Sequence, residues 1–207
     1  MASKKLGKVG VIGRWKPFHN GGATMLETLC EQAEHVFIGI GSCNKYNVRN
    51  PFTAEESKEM IDACLSKRFS NYSFVFVPDF AHVSEFRDGQ KWKEFVLSNY
   101  GKLDYFVSGN DYVTNLLKDD YKVMHPVKLI PEEKRVCVNG TQVRVEMAKG
   151  NAWKSLVPEE VVDYLEKNSL VERFRTEFGL ETLARLGHYG GPKNETEEEE
   201  REHTFEV

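Results

Sequence analysis

An arginine, a histidine and two adjacent glycines crowd into ten residues: Gly13-Arg14-Trp15-Lys16-Pro17-Phe18-His19-Asn20-Gly21-Gly22. Arg14 offers a permanently charged fork of donors and His19 a titratable imidazole, while Gly21 and Gly22 lack the Cβ that keeps a ligand off the backbone. An apolar run over 8–12 precedes them and an amphipathic stretch over 23–34 follows, so the segment is a strand-to-helix corner. In a parallel α/β sheet ligands bind at such corners, where a starting helix aims its N–H groups and the positive end of its dipole at an anion. The chemistry expected is phosphate binding. An ordinary βα loop with solvated Arg14 and His19 is the competing reading, and glycine content does not separate the two.

A second helix start, Gly140-Thr141-Gln142-Val143-Arg144, repeats the theme. Its backbone N–H groups, the Thr141 hydroxyl and Arg144 can hold the β- and γ-phosphates of a nucleoside triphosphate. Alone, the segment is accounted for by a capped helix with a surface arginine. Pairing it with Arg14 and His19 turns the reading toward phosphate.

The elements that must position these residues alternate. Strands are expected over 8–12, 36–41, 73–77 and 105–108, and helices over 23–34, 54–65, 90–99 and 112–117. Thr53 and Glu56 have the spacing of a capping box ahead of Met60, Ile61 and Leu65, and Asp111 is placed to cap the helix at 112. Alternation of this kind implies a parallel sheet with right-handed crossovers and helices on both faces. From about 140 the chain turns helical. Thr141 is expected to cap 142–149, Gly150 to stop it, and Pro158 with Glu159 and Glu160 to open a helix through Val161, Val162 and Leu165, before a last one over 170–186. Residues 1–186 form one α/β domain, and 187–207, with Gly190-Gly191-Pro192 and glutamates over 197–200, form an acidic tail unable to bury apolar surface and expected to be disordered.

Composition narrows the function classes. The chain has 207 residues, 40% hydrophobic and 29% charged, and a net charge of −4, which suits one globular domain and argues against a broad nucleic-acid surface. Cys30, Cys43, Cys64 and Cys137 are far apart and form no CxxC pair, so no zinc or redox motif is indicated and reduced thiols are expected. No h-region follows the N-terminal lysines, and no apolar run approaches membrane-spanning length, so no membrane partner and a cytoplasmic location are expected.

The order Gly-Arg-aromatic-x-Pro-Phe-His-x-Gly resembles the signature of the nucleotidyltransferase superfamily that includes class I aminoacyl-tRNA synthetases, where it normally ends His-x-Gly-His; here Gly22 holds the last position. Ile38-Gly39-Ile40-Gly41-Ser42, Arg49-Asn50-Pro51-Phe52-Thr53-Ala54, Val107-Ser108-Gly109-Asn110, the helix start at Asn139, Ala152-Trp153-Lys154-Ser155-Leu156-Val157-Pro158 and Val171-Glu172-Arg173 extend the likeness. Together they are similar, in one register over about 7–178, to the archaeal-type nicotinamide mononucleotide (NMN) adenylyltransferases. The resemblance implies a Rossmann-like nucleotidyltransferase fold, adenylyl transfer from ATP to NMN giving NAD and pyrophosphate, Mg²⁺ held through the nucleotide's phosphates rather than by protein ligands, and assembly into a homo-oligomer. It places Arg14, His19 and Arg144 on the triphosphate and Arg49 on the reacting phosphates. It assigns nucleotide contacts to Gly13, Trp15, Gly21, Gly22, Gly41, Ser42, Gly109, Asn110, Gly140 and Thr141, and the nicotinamide side to Asp79 and Trp92. Trp92, beside Phe95 and Val96, equally suits core packing.

Three departures stand out: Gly22 for the second histidine, Ser57 where relatives tend to carry arginine, and a segment over 81–89 longer than in relatives. Losing one donor to a developing oxyanion costs about 3–4 kcal/mol, or roughly 10²–10³ in rate, unless Lys16, where relatives commonly have Gln, or Asn20 replaces it. Two other functions therefore stand beside the first: a catalytically weak nucleotide-binding homologue acting as sensor or partner subunit, and a nucleotidyltransferase using CTP or another phosphorylated acceptor.

Overall fold

The structure, a computed structural model, describes residues 6–186; the acidic tail expected over 187–207 lies outside the described residues. Five strands, β1 (Leu6–Gly13), β2 (Ala33–Gly41), β3 (Tyr72–Val77), β4 (Tyr105–Val107) and β5 (Val123–Met124), form one parallel sheet in the order β3-β2-β1-β4-β5. The chain leaves β1 toward β2 and β3, then crosses back to place β4 on the other side of β1. Strand order thus reverses at β1, and the crevice beyond its carboxyl end is where an open α/β sheet binds ligands.

Alternating side chains load the two faces of the sheet separately. Val9, Val11, Val36, Ile38 and Ile40 pack in one core with α1 (Asn20–Gln32), α2 (Ala54–Leu65), α5 (Gly140–Lys149), α6 (Glu159–Lys167) and α7 (Leu170–Phe174). Phe37, Val75, Val77 and Phe106 pack on the opposite face with α3 (Gln90–Tyr100) and α4 (Asp111–Leu117). The α/β architecture with helices on both faces and a helical C-terminal part is therefore as expected.

Boundaries differ where local hydrogen bonds override the pattern. The first helix begins at Asn20, ahead of its apolar residues, because the His19 side chain caps it by accepting from the Gly22 N–H at 3.3 Å. Asn110 caps α4 in place of Asp111, and Asn139 caps α5 in place of Thr141; each holds an extended backbone and accepts the N–H three residues on, at 3.1 and 2.9 Å. Strand β5 has two residues, too few for any periodicity to register. The last helix continues past α7 through a wider turn, Arg175–Gly179, into α8 (Leu180–Leu186). The capping box is present in full, with Glu56 N–H donating to Thr53 and Thr53 N–H to the Glu56 carboxylate.

Candidate active site

The chain turns sharply as it leaves β1. Trp15 sits in the left-handed region at φ 55°, a costly conformation for a bulky residue that persists where surrounding packing enforces it. Its indole N–H donates to the Gly39 carbonyl at 2.7 Å, and the ring lies over two glycines. A Cβ on Gly13 would stand 2.7 Å from the indole, and one on Gly22 3.1 Å from both the Trp15 and Phe18 rings. Gly21 is constrained differently, since a Cβ there would meet the carbonyls of Val138 and Val136 at 2.9 and 3.0 Å. The sequence suggested that these missing side chains let a ligand approach. In the structure protein fills the space at both positions, rings at Gly22 and main chain at Gly21.

This packing turns four cationic or titratable side chains around one open cleft, lined by Gly13, Arg14, Trp15, Lys16, His19, Gly140 and Arg144. His19 is 7% exposed; because Nδ1 accepts the helix N–H, the neutral ring carries its proton on Nε2. Arg144 is 3% exposed and fixed by two 2.9 Å bonds, Nη1 to the Lys16 carbonyl and Nη2 to the Thr141 hydroxyl. Thr141 therefore orients Arg144 instead of capping the helix.

Lys16, a candidate replacement donor, is only 2% exposed. Its ammonium donates to the Ser42 carbonyl at 2.9 Å, and Ser42 is itself held at φ 50°. Burial lowers the Lys16 pKa to about 8, with Arg14 and Arg144 adding to the fall and Cys43 and Glu55 opposing it. Asn20, the other candidate replacement donor, spends its side-chain amide on the Ser155 carbonyl at 3.0 Å.

The remaining sequence candidates do not line this cleft. Arg49 lies in the loop after β2, its N–H held by Asn47 at 3.0 Å. Gly41 ends β2 and Ser42 follows it, Gly109 and Asn110 follow β4, and Asp79 follows β3, all at the carboxyl ends of the strands. Trp92 is 8% exposed within the second core. Ser57 is fully buried and donates to the Thr53 carbonyl at 2.9 Å, leaving an arginine no room there.

Two supports went unread in the sequence. Asn44 binds the Asp79 main chain twice, donating to its carbonyl at 2.9 Å and accepting its N–H at 2.8 Å, and so ties the β2 loop to the end of β3. Tyr46 donates to Glu177 and packs on Phe178, which locks the same loop to the C-terminal helices. No spacing rule marks either contact, since both partners are remote in sequence.

Among the described residues, no group of three or more His, Cys, Asp or Glu is placed to hold a metal ion, and no helix is long and apolar enough to cross a membrane. The cleft lining contains no carboxylate. Its charge suits an anion, so a divalent cation would enter on the ligand's own phosphates.

Residues 11–161 match the model of the cytidylyltransferase-like family. A nicotinamide-nucleotide adenylyltransferase of Methanococcus vannielii is 32% identical over 156 residues, covering 75% of this chain and 86% of that protein. One from Thermococcus sibiricus is 32% identical over 169 residues, covering 79% and 86%. Among solved structures, a bifunctional NMN adenylyltransferase/ADP ribose pyrophosphatase from Francisella tularensis, complexed with AMP and manganese, superposes with a TM-score of 0.63 at 19% identity. That match covers 88% of this chain but spans only 53% of the bifunctional protein, and it supports the fold alone. Cleft, fold and relatives agree: the chain belongs to the cytidylyltransferase-like family, grouped with the archaeal nicotinamide-nucleotide adenylyltransferases.

Proposed function

We propose that the chain transfers the adenylyl group of ATP to nicotinamide mononucleotide, giving NAD and pyrophosphate. The observation that carries this is the convergence of Arg14, Lys16, His19 and Arg144 on one cleft beside β1, between the starts of α1 and α5. The relatives named as nicotinamide-nucleotide adenylyltransferases supply the substrate pair.

A phosphate oxygen of the mononucleotide attacks the α-phosphorus in line, the bond to the β-phosphate oxygen breaks, and pyrophosphate leaves with the electron pair. No protein nucleophile is needed; positioning and charge neutralisation lower the barrier. Arg144, held rigid by Lys16 and Thr141, and Arg14 bind the triphosphate, and His19 donates through Nε2 to its oxygens. Arg49 aligns the incoming phosphate. Gly41, Ser42, Gly109, Asn110 and Asp79 meet the nucleosides at the strand ends, and Trp92 lies on the nicotinamide side. A divalent cation, Mg²⁺ by preference, neutralises phosphate charge when bound. We place this activity in the cytoplasm, in a domain of residues 1–186 that assembles as a homo-oligomer and carries 187–207 as an acidic appendage.

A second reading, a catalytically weak nucleotide-binding homologue, is favoured by one observation: the rings of Trp15 and Phe18 fill the space into which a residue-22 side chain would grow. The decisive measurement is NAD and pyrophosphate formation from ATP, Mg²⁺ and the mononucleotide by the purified protein. Product supports the first reading; ATP binding without product supports the second; saturation by a different phosphorylated acceptor or CTP moves the specificity.

A further inference from the structure

Lys16 is hard to justify as a structural residue. An ammonium bonded to a carbonyl rather than paired with a carboxylate is expensive to bury; Glu55 and Glu56 offset part of that cost from a distance, and two arginines in the same cleft add to it. Its three-donor head donates to one carbonyl, that of Ser42. Such an arrangement persists where function requires it, and the electrostatic cost is relieved when an anion enters.

We propose that Lys16 is a catalytic residue: its ammonium swings from the Ser42 carbonyl to the phosphates leaving ATP, and supplies the donor that the Gly22 position does not. This rests on the adenylyltransferase reading and deepens it. The geometry favours Lys16 over Asn20, because Lys16 lines the cleft with His19 and Arg144 whereas the Asn20 amide is committed to Ser155. Lys16 is also joined to Arg144 through its own carbonyl, so one residue fixes one phosphate ligand by main chain and presents another by side chain. During transfer the ammonium keeps its proton. The phosphorus–oxygen bond to pyrophosphate breaks, the bond to the mononucleotide oxygen forms, and Lys16 stabilises the charge that collects on the leaving oxygens.

The groups facing Lys16 are Arg14 and His19 from the β1–α1 corner, Arg144 from α5, Cys43 from the loop after β2, and Glu55 and Glu56 from α2. Its lowered pKa of about 8 sets the sign of the pH dependence: the charged donor is present below pH 8 and lost as pH rises through it. The test compares wild type with Lys16→Met and Lys16→Gln. Both variants should fold with unchanged or higher Tm, because a buried charge is removed, while kcat falls roughly 10²–10³-fold. The alkaline limb of kcat/KM near pH 8, which reports the free enzyme, should be present in wild type and absent in Lys16→Met. A kcat within twofold of wild type, a limb that survives in Lys16→Met, or a large fall in Tm in both variants overturns the proposal. If wild type makes no NAD, the adenylyltransferase reading fails separately. ATP titration by calorimetry at pH 7 and 9 then still decides the lysine: binding should weaken with pH in wild type and be pH-independent in Lys16→Met, and equal behaviour of the two refutes it.

Discussion

Arg173 meets Glu56 with both terminal nitrogens, Nη1 to Oε1 at 2.6 Å and Nη2 to Oε2 at 2.7 Å. The same carboxylate closes the α2 capping box, and the same guanidinium reaches the Pro51 carbonyl at 3.2 Å. One half-buried ion pair therefore fixes the end of the Arg49 loop to the C-terminal helices. Arg173→Met should cost about 2 kcal/mol, between the values of exposed and buried pairs, and urea denaturation reads it. Burial pushes the Glu56 pKa up, but the bonds from Arg173 and from the Thr53 N–H outweigh it and the net shift is downward. Its stabilisation is thus present above the ordinary carboxylate range and lost as pH falls through and below it, so the gap between wild type and variant should close in acid.

Arg144→Ala should weaken ATP binding roughly 10–100-fold, about 1.5–3 kcal/mol, whether or not the protein turns over, because a phosphate contact acts in the ground state as well. Calorimetric titration measures it. Unchanged affinity would remove Arg144 from the phosphate site.

Gly22→His should not raise kcat. Its Cβ would press on the Trp15 and Phe18 rings at 3.1 Å, and the expected outcome is a Tm lower by roughly 3–10 °C from overpacking. Thermal melts of Gly22→His, Trp15→Phe and the double variant should show a coupling of about 1 kcal/mol. Additive losses would mean the two side chains do not compete.

Asn44→Ala should raise KM for the mononucleotide roughly tenfold, about 1.4 kcal/mol, with KM for ATP unchanged, since its two bonds brace Asp79 and not the phosphate cleft. Initial rates at varied substrate distinguish the cases. An equal rise for both substrates would show that the loop after β2 serves the whole site.

The sequence made the architecture legible because period-2 and period-3.6 patterns are local, and because Thr53 and Glu56 announce α2 by spacing alone. The cleft was legible as a pair of helix starts bearing Arg14, His19 and Arg144. What escaped is non-local. Lys16 and Asn20 read as equal candidates for the missing donor until Ser42 and Arg144 are seen to enclose the lysine and Ser155 to hold the asparagine, and Gly22 reads as ligand room until the Trp15 ring is found above it. Asn139 and Asn110 capped where Thr141 and Asp111 were expected, a shift of one or two residues set by backbone conformation. Trp92 illustrates the reverse case, since core packing was already visible beside the functional assignment.

The bond from Arg144 to the Lys16 carbonyl joins residues 128 positions apart. At about 5–20 residues per second, a ribosome needs roughly 6–26 s to make the intervening chain. Throughout that interval the corner after β1 lacks its guanidinium clamp. The nascent first half can pair β1 with β2 and β2 with β3 while the cleft still lacks Gly140 and Arg144. The cleft is therefore complete only once α5 has been made and has docked against the corner after β1.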